Sequence, residues 1–173
     1  MFPQVVSEYI QTNKVRYVFK NFPLQIHQWA QKSAEAAECA GEQGQYWAMH
    51  DALFNNQDQW SGSQDAVPYF KQLATTLKLD QAKFDSCLDT GKYTAAVQAD
   101  MQAGIQAGVT GTPAFRVNDV PLSGAQPFEQ FKQTIEYAQA GGKPPALVVA
   151  ADDFRSMGEA DAPVVITEFS DFQ

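Results

Sequence analysis

Apolar residues recur along this chain with two periods, which predict helices over most of its length and strands in a few short runs. Residues 2–11 illustrate the helical period, because Val5, Val6, Tyr9 and Ile10 fall on one face. The other predicted helices are 28–39, 45–54, 63–77, 80–88, 93–107 and 126–140. The predicted strands are 14–19, 114–117, 120–122, 146–150 and 164–169. The chain is therefore predicted to have an α/β fold.

The two ends of the chain complement each other. Residues 164–169 have the composition of a buried central strand, which belongs to a parallel sheet and needs a crossover after it. Nothing follows that strand, whereas the helix 2–11 begins without a capping residue. Joined end to start, the elements read strand, helix, strand, helical insertion, strand, strand, helix, which is a complete α/β unit. We therefore expect 164–169 to lie in one sheet beside the strand 14–19.

Composition narrows the class of protein. A chain of 173 residues with 45% hydrophobic residues suits one globular domain with a substantial core. The net charge of −8, without clusters of Lys and Arg, argues against binding to nucleic acid or to an anionic membrane surface. No apolar run approaches the length of a membrane span, and no signal peptide precedes the first helix. The chain is expected to be a mature form, an expressed fragment or a cytoplasmic protein.

Several segments together resemble one family. "APVVITEFSDFQ" at residues 162–173 is similar to the first core strand of the DsbA-like branch of the thioredoxin superfamily, where a Cys-x-x-Cys pair follows directly. The other similar segments, in chain order, are "FPQVVSEYI", "KVRYVFKNFPL", "AAECAGEQGQYWAMHDALF", "FDSCLDTGKY", "AGVTGTPAFRVNDV" and "GAQPFEQFKQTI". They cover nearly the whole chain, but in rotated order and without the Cys-x-x-Cys pair.

The resemblance implies a thioredoxin-like fold with an inserted helical subdomain and its segments in permuted order. Residues 1–23 and 109–173 would form the core, with 141–161 as a linker and 162–173 supplying a core strand. Residues 24–108 would form the helical insertion. The chain is then either a circular permutant opened at the active site or a piece cut from tandem domains.

The activity that the resemblance implies is thiol–disulfide exchange on unfolded or folding proteins outside the cytoplasm, without a cofactor. The parent protein would be periplasmic, secreted or membrane-anchored. This chemistry needs a reactive thiolate and a second thiol close by. The chain has only Cys39 and Cys87, 48 positions apart, so no catalytic cysteine pair is present and we expect it to be inactive as it stands. The alternatives are a redox-dead peptide-binding or scaffolding module and a domain-swapped oligomer.

Cys39 and Cys87 both fall in the region that the resemblance assigns to the helical insertion. Relatives often carry a second, structural disulfide there, and the resemblance implies that these two cysteines form it. The alternative is a pair of buried free thiols, because cysteine is among the residues most often buried.

The stretch Gly111-Thr112-Pro113 is the candidate substrate-binding loop. In the resembling family, the residue before a cis-proline presents its backbone to an extended peptide, so Pro113 would be cis and Thr112 would face the substrate. The alternative is an ordinary trans turn that leads into the strand 114–117.

Glu168 is a charged residue within an otherwise apolar strand. A buried carboxyl group is costly to ionise, so its pKa should rise, and the resemblance implies a proton-relay role behind the redox pair. The alternative is a partly solvated position at a sheet edge. Asp171 is predicted to be a turn or capping residue rather than a catalyst.

The histidines do not indicate a metal site. His50 stands beside Asp51, but a metal site needs three or four ligands at suitable spacing, so packing or a surface hydrogen bond is the prediction for His50. His27 is likewise predicted to be structural. The aromatic residues of the helical insertion are predicted to form its core, with a peptide-binding groove as the alternative; they are Trp29, Tyr46, Trp47, Phe54 and Trp60.

Overall fold

The structure, a computed structural model, describes residues 2–141 and 153–173. The chain divides into two units, one of Met1–Lys20 and Val109–Ser170, the other of Asn21–Gly108 and Asp171–Gln173. The strands are β1 (Val15–Asn21), β2 (Ala114–Val117), β3 (Val120–Ser123), β4 (Ser156–Met157) and β5 (Val164–Ser170). The helices are α1 (Phe2–Val5), α2 (Ala30–Gly41), α3 (Tyr46–Asn55), α4 (Gln57–Trp60), α5 (Val67–Thr76), α6 (Gln81–Asp89), α7 (Thr94–Gln106) and α8 (Phe128–Gln139). A π-helical segment, Val6–Ile10, continues α1 directly.

The five strands form one sheet in the order β3-β2-β5-β1-β4. The predicted α/β class is confirmed, and so is the expectation that the last strand lies beside the first. The central strand β5 runs antiparallel to β2, which pairs antiparallel with β3 in turn. On the other side of the sheet, β4 pairs antiparallel with β1.

Burial explains why β5 takes the central position. Val164, Ile166 and Phe169 are fully buried, as expected for a strand covered on both faces. The outermost position falls to β3, which contains Pro121 and alternates between half-buried and exposed residues. A proline cannot donate a ladder hydrogen bond, so it is confined to an edge.

The range 141–161, predicted as a linker, includes the short edge strand β4, Ser156–Met157. Two polar contacts hold this strand near β1: Arg16 donates to the Ser156 hydroxyl at 3.0 Å, and the Phe19 amide donates to the Arg155 carbonyl at 3.0 Å. The predicted strand 146–150, and the linker residues 142–152 around it, lie outside the described residues.

The helical unit follows the predicted helices closely, with two differences: the short helix α4 was not predicted, and α5 begins later than predicted. The prediction began this helix at Ser63, whereas it begins at Val67. The Ser63 hydroxyl and the Asp65 backbone bond each other locally, and the Asp65 carboxylate accepts the Val67 amide at 3.0 Å. Such short side chains compete with helical bonds and favour a turn before the first helical residue.

Candidate functional site

The loop before β2 places Thr112 and Pro113 at the start of a strand that lies between β3 and β5 in the sheet. The Thr112–Pro113 peptide bond is cis. The Pro113 carbonyl accepts the Gly124 amide at 2.9 Å, which closes the β2–β3 hairpin at its base. Thr112 is half-buried, and its backbone makes no hydrogen bond within the described residues. An extended peptide could therefore pair with this backbone as an added strand does.

Glu168 lies on β5 directly opposite Phe115 of β2. Phe115 follows Pro113 by two residues. Glu168 is half-buried, and desolvation of its carboxyl group raises the pKa to about 8, although a hydrogen bond with the Ser170 side chain lowers it. Desolvation dominates because a charged carboxylate loses far more hydration energy than one neutral hydroxyl can replace. At neutral pH this carboxyl group is protonated and can hold or transfer a proton.

The sequence did not single out Ser170 as a partner of Glu168. The two positions differ by two along a strand, so their side chains point to the same face of the sheet. That alternation was the signal that could have identified Ser170.

Asp171 belongs to the helical unit and ties it to the end of the chain. Its carboxylate accepts the Leu24 amide at 3.1 Å and bonds His27 Nδ1 at 2.8 Å. The position of Asp171 is thus structural and buried. His27 also has a structural contact, as predicted.

Two glutamines hold the last two residues of the chain within the same unit. The Gln173 side chain accepts the Trp29 amide at 2.7 Å and donates to the Ser61 carbonyl at 3.0 Å. The Gln57 side chain donates to the Phe172 carbonyl at 2.7 Å. Sequence reasoning missed this role of the glutamines, because no local pattern marks long-range side-chain bonds.

An aromatic cluster surrounds Phe172 in the helical unit. Its ring lies 4.9 Å from that of Phe54 and 5.6 Å from that of His50. Burial lowers the pKa of His50, although the Asp51 carboxylate, 2.9 Å from Nδ1, acts in the opposite direction. His50 is therefore a packed residue with a local hydrogen bond, as predicted. Phe54 remains 38% exposed, whereas Trp60 is fully buried as a core residue.

Cys39 of α2 and Cys87 of α6 are joined by a disulfide, with Cα atoms 5.9 Å apart. Both residues are buried, at 1% and 5% exposure respectively. The bond links two helices of the same unit across 48 positions of sequence.

Neither a metal cluster nor a membrane span is found in the described part of the chain. Within residues 2–141 and 153–173, no three His, Cys, Asp or Glu side chains are grouped to hold a metal ion. No helix in those ranges has the length and apolar character required to cross a membrane.

A family model described as Thioredoxin matches residues 1–137 of the chain. A protein of Rickettsia prowazekii named "Putative protein-disulfide oxidoreductase" is 27% identical over 121 residues, which are 69% of this chain and 44% of that protein. A protein of the same name from Rickettsia bellii is 29% identical over 121 residues, covering 46% of its length. No solved structure matches the chain.

A different kind of protein shares the same region of similarity. A Na(+)/H(+) antiporter named NhaA 3, from Salinispora tropica, is 38% identical over 117 residues, which are 67% of this chain. This similarity covers only 17% of the antiporter. The chain thus spans less than a fifth of the antiporter and less than half of the oxidoreductases it resembles.

Proposed function

Because this chain belongs to the thioredoxin family, we propose that it is the thioredoxin-fold domain of a DsbA-like protein thiol–disulfide oxidoreductase or isomerase that acts on extracytoplasmic proteins. The observation that carries the proposal is the family match over residues 1–137, with relatives named as protein-disulfide oxidoreductases. The similarity to part of an antiporter supports a larger parent protein as the carrier of such a domain, because the shared segment is only 17% of that relative.

Two features of the sheet agree with the proposed chemistry. Glu168 holds a proton at neutral pH, which is what a relay to and from a thiol requires. Phe115 is the partner of Glu168 on β2. The Gly111-Thr112-Pro113 loop ends two positions before Phe115, and the Thr112 backbone in this loop is open to an incoming strand. In the proposed reaction, this loop binds the polypeptide while Glu168 exchanges a proton with the redox pair.

We propose further that the segments are permuted relative to the DsbA-like order. The neighbouring positions of β5 and β1 in the sheet support this reading, since the two strands come from opposite ends of the chain. The redox cysteines would then lie between Gln173 and Phe2 in the unpermuted order. As given, the chain lacks them and is proposed to be inactive.

Two proteins test the proposal in an insulin-reduction assay with dithiothreitol. The native chain should not accelerate reduction over buffer, and clear turnover would contradict the proposed inactivity. In the second protein, residues 162–173 are joined through a Cys-x-x-Cys segment to residues 1–140. This rejoined chain should accelerate insulin reduction, and the same chain with both added cysteines changed to serine is its control. If the rejoined chain forms the Cys39–Cys87 disulfide but remains inert, the oxidoreductase assignment is refuted.

A redox-dead peptide-binding or scaffolding module is the second candidate function. The Thr112 backbone favours it, because this backbone makes no hydrogen bond within residues 2–141 and 153–173 and strand addition needs no cysteine. Fluorescence anisotropy with a reduced and alkylated peptide should then show saturable binding to the native chain. The matched control is the same peptide with N-methylated amides, which cannot pair as a strand. Equal binding of both peptides, or none, would contradict this candidate.

Light scattering after size-exclusion chromatography tests the domain-swapped oligomer separately, since a monomer would exclude it.

A further inference from the structure

A pocket of about 500 Å³ opens in the helical unit beside the disulfide. Its walls include Cys87, Ala82 and Ser86 of α6, with Lys83, Lys92 and Glu42 around them. This volume lies in the range of sites that bind small molecules. The pocket therefore lies beside Cys87, one half of the Cys39–Cys87 bond.

The two half-cystines differ in access to this pocket. Cys87 lines it and is 5% exposed, whereas Cys39 is not among its walls and is 1% exposed. Thiol–disulfide exchange begins when a thiolate reaches one of the two sulfur atoms, so access decides which sulfur is attacked. An incoming thiol should therefore form its bond with Cys87.

The charged side chains on the pocket wall are paired with opposite charges. Lys92 bonds the Glu42 carboxylate, as does the Tyr93 hydroxyl at 2.8 Å, and the hydrogen bond from Lys92 does most to hold the pKa of Glu42 below its ordinary value. Glu42 and Lys92 thus form a charge-compensated pair. Lys83 on the wall is likewise paired, with the exposed Asp80 carboxylate at 3.2 Å. Both lysines of the wall therefore have a carboxylate partner, and charge does not select among small thiols.

We propose that Cys87 is a modification site for small thiols, which enter this pocket and open the Cys39–Cys87 disulfide by forming a mixed disulfide on Cys87. The thiolate sulfur forms the new S–S bond with Cys87 Sγ, while the Cys39–Cys87 bond breaks and its electron pair leaves on Cys39 Sγ, which takes up a proton. A second thiol then attacks the mixed disulfide, releasing Cys87 as a thiol and the small molecule as its own disulfide. Overall, two small thiols are oxidised and one protein disulfide is reduced. This site is independent of the oxidoreductase role proposed above, because it uses neither the cis-proline loop nor Glu168.

The first experiment identifies the modified residue. The oxidised native chain is incubated with reduced glutathione, quenched in N-ethylmaleimide, and digested for mass spectrometry. The expected product carries glutathione on Cys87 and the alkylating group on Cys39. Glutathione on Cys39, or no adduct while reduced chain accumulates, would overturn the proposal.

The second experiment blocks the pocket. Ala82→Trp places a bulky ring on an exposed wall position, and Ala95→Trp places the same ring on an exposed helical position outside the pocket. The rate of reduction by glutathione should fall about fivefold or more in the first variant and stay within about twofold in the second, because only the first obstructs access to the sulfur. Equal rates would show that the disulfide is reached through opening of the unit and would overturn the proposal.

A thiol-size comparison on the native chain keeps the test decisive if Ala82→Trp fails to fold. Glutathione is compared with the same thiol coupled to a large polymer that cannot enter the pocket. The free thiol should react about tenfold faster at equal thiolate concentration, because exchange depends on access. Equal rates would again refute pocket entry.

Discussion

Replacing Glu168 by glutamine should stabilise the protein, and only above the pH at which a free carboxyl group ionises. In the folded chain the pKa of Glu168 is raised to about 8 from an ordinary value of 4.5. Below pH 4.5 the carboxyl group is protonated in both the folded and the unfolded state, so Glu168 does not lower the free energy of unfolding there. As the pH rises toward 8, the unfolded state releases the proton that the folded state retains, and the wild-type protein loses stability.

The size of this effect follows from the two pKa values. At pH 7 the penalty is about 3 kcal/mol, and above pH 8 it approaches about 5 kcal/mol, because a tenfold change in a protonation equilibrium corresponds to about 1.4 kcal/mol. Glutamine has nearly the same shape as glutamate and does not ionise, and its amide can still bond the Ser170 hydroxyl. Glu168→Gln should therefore gain up to these amounts relative to the wild type, with no gain at pH 4.

Urea denaturation of both proteins between pH 4 and pH 9 measures the difference. The gap in free energy of unfolding should widen from near zero at pH 4 and level off above pH 8. Glu159→Gln, which neutralises an exposed carboxylate in the loop before β5, is the matched control and should show no such trend. A gap between wild type and Glu168→Gln that does not change with pH would refute the reasoning.

Two further predictions concern the backbone and the disulfide. Gly158 has φ +93°, and a Cβ atom there would lie 2.5 Å from the Val15 carbonyl oxygen. Gly158→Ala should therefore lower the free energy of unfolding, measured by urea denaturation, by about 2 kcal/mol or more. An unchanged midpoint would contradict the close approach of these segments. Removing the disulfide with Cys39→Ala and Cys87→Ala should cost about 4 kcal/mol on the chain-entropy account of a loop of this length. Dithiothreitol should leave the melting temperature of this double variant unchanged and should lower the melting temperature of the wild type toward that of the variant. A wild type whose melting temperature does not respond to dithiothreitol would contradict the stabilising role of the bond.

Sequence alone was sufficient for the elements whose signal is local. The strand 114–117 coincides with β2, and the predicted helix 80–88 corresponds to α6 together with its capping residue Asp80, which accepts the Lys83 amide at 3.1 Å. The apolar run 164–169 predicted a central strand, because burial limits where such a run can lie. The family, too, could be read from motifs in order along the chain.

Other features depend on contacts between residues far apart in sequence. The pairing of Ser156–Met157 with β1 was missed, since two residues in a polar segment give no periodic signal. The bonds from Gln57 and Gln173 to their partners join positions more than 100 residues apart. Only the folded chain decides such partners.

The amino-acid sequence by itself determined the α/β class, most helices and strands, the family and the absence of a Cys-x-x-Cys pair, because each is written in local pattern or residue identity. The tertiary structure decided how strongly Glu168 resists ionisation and which cysteine of the disulfide a small thiol can reach. Both depend on how much water surrounds a particular atom, and that is set by packing from several elements at once rather than by the residues next to it in the chain.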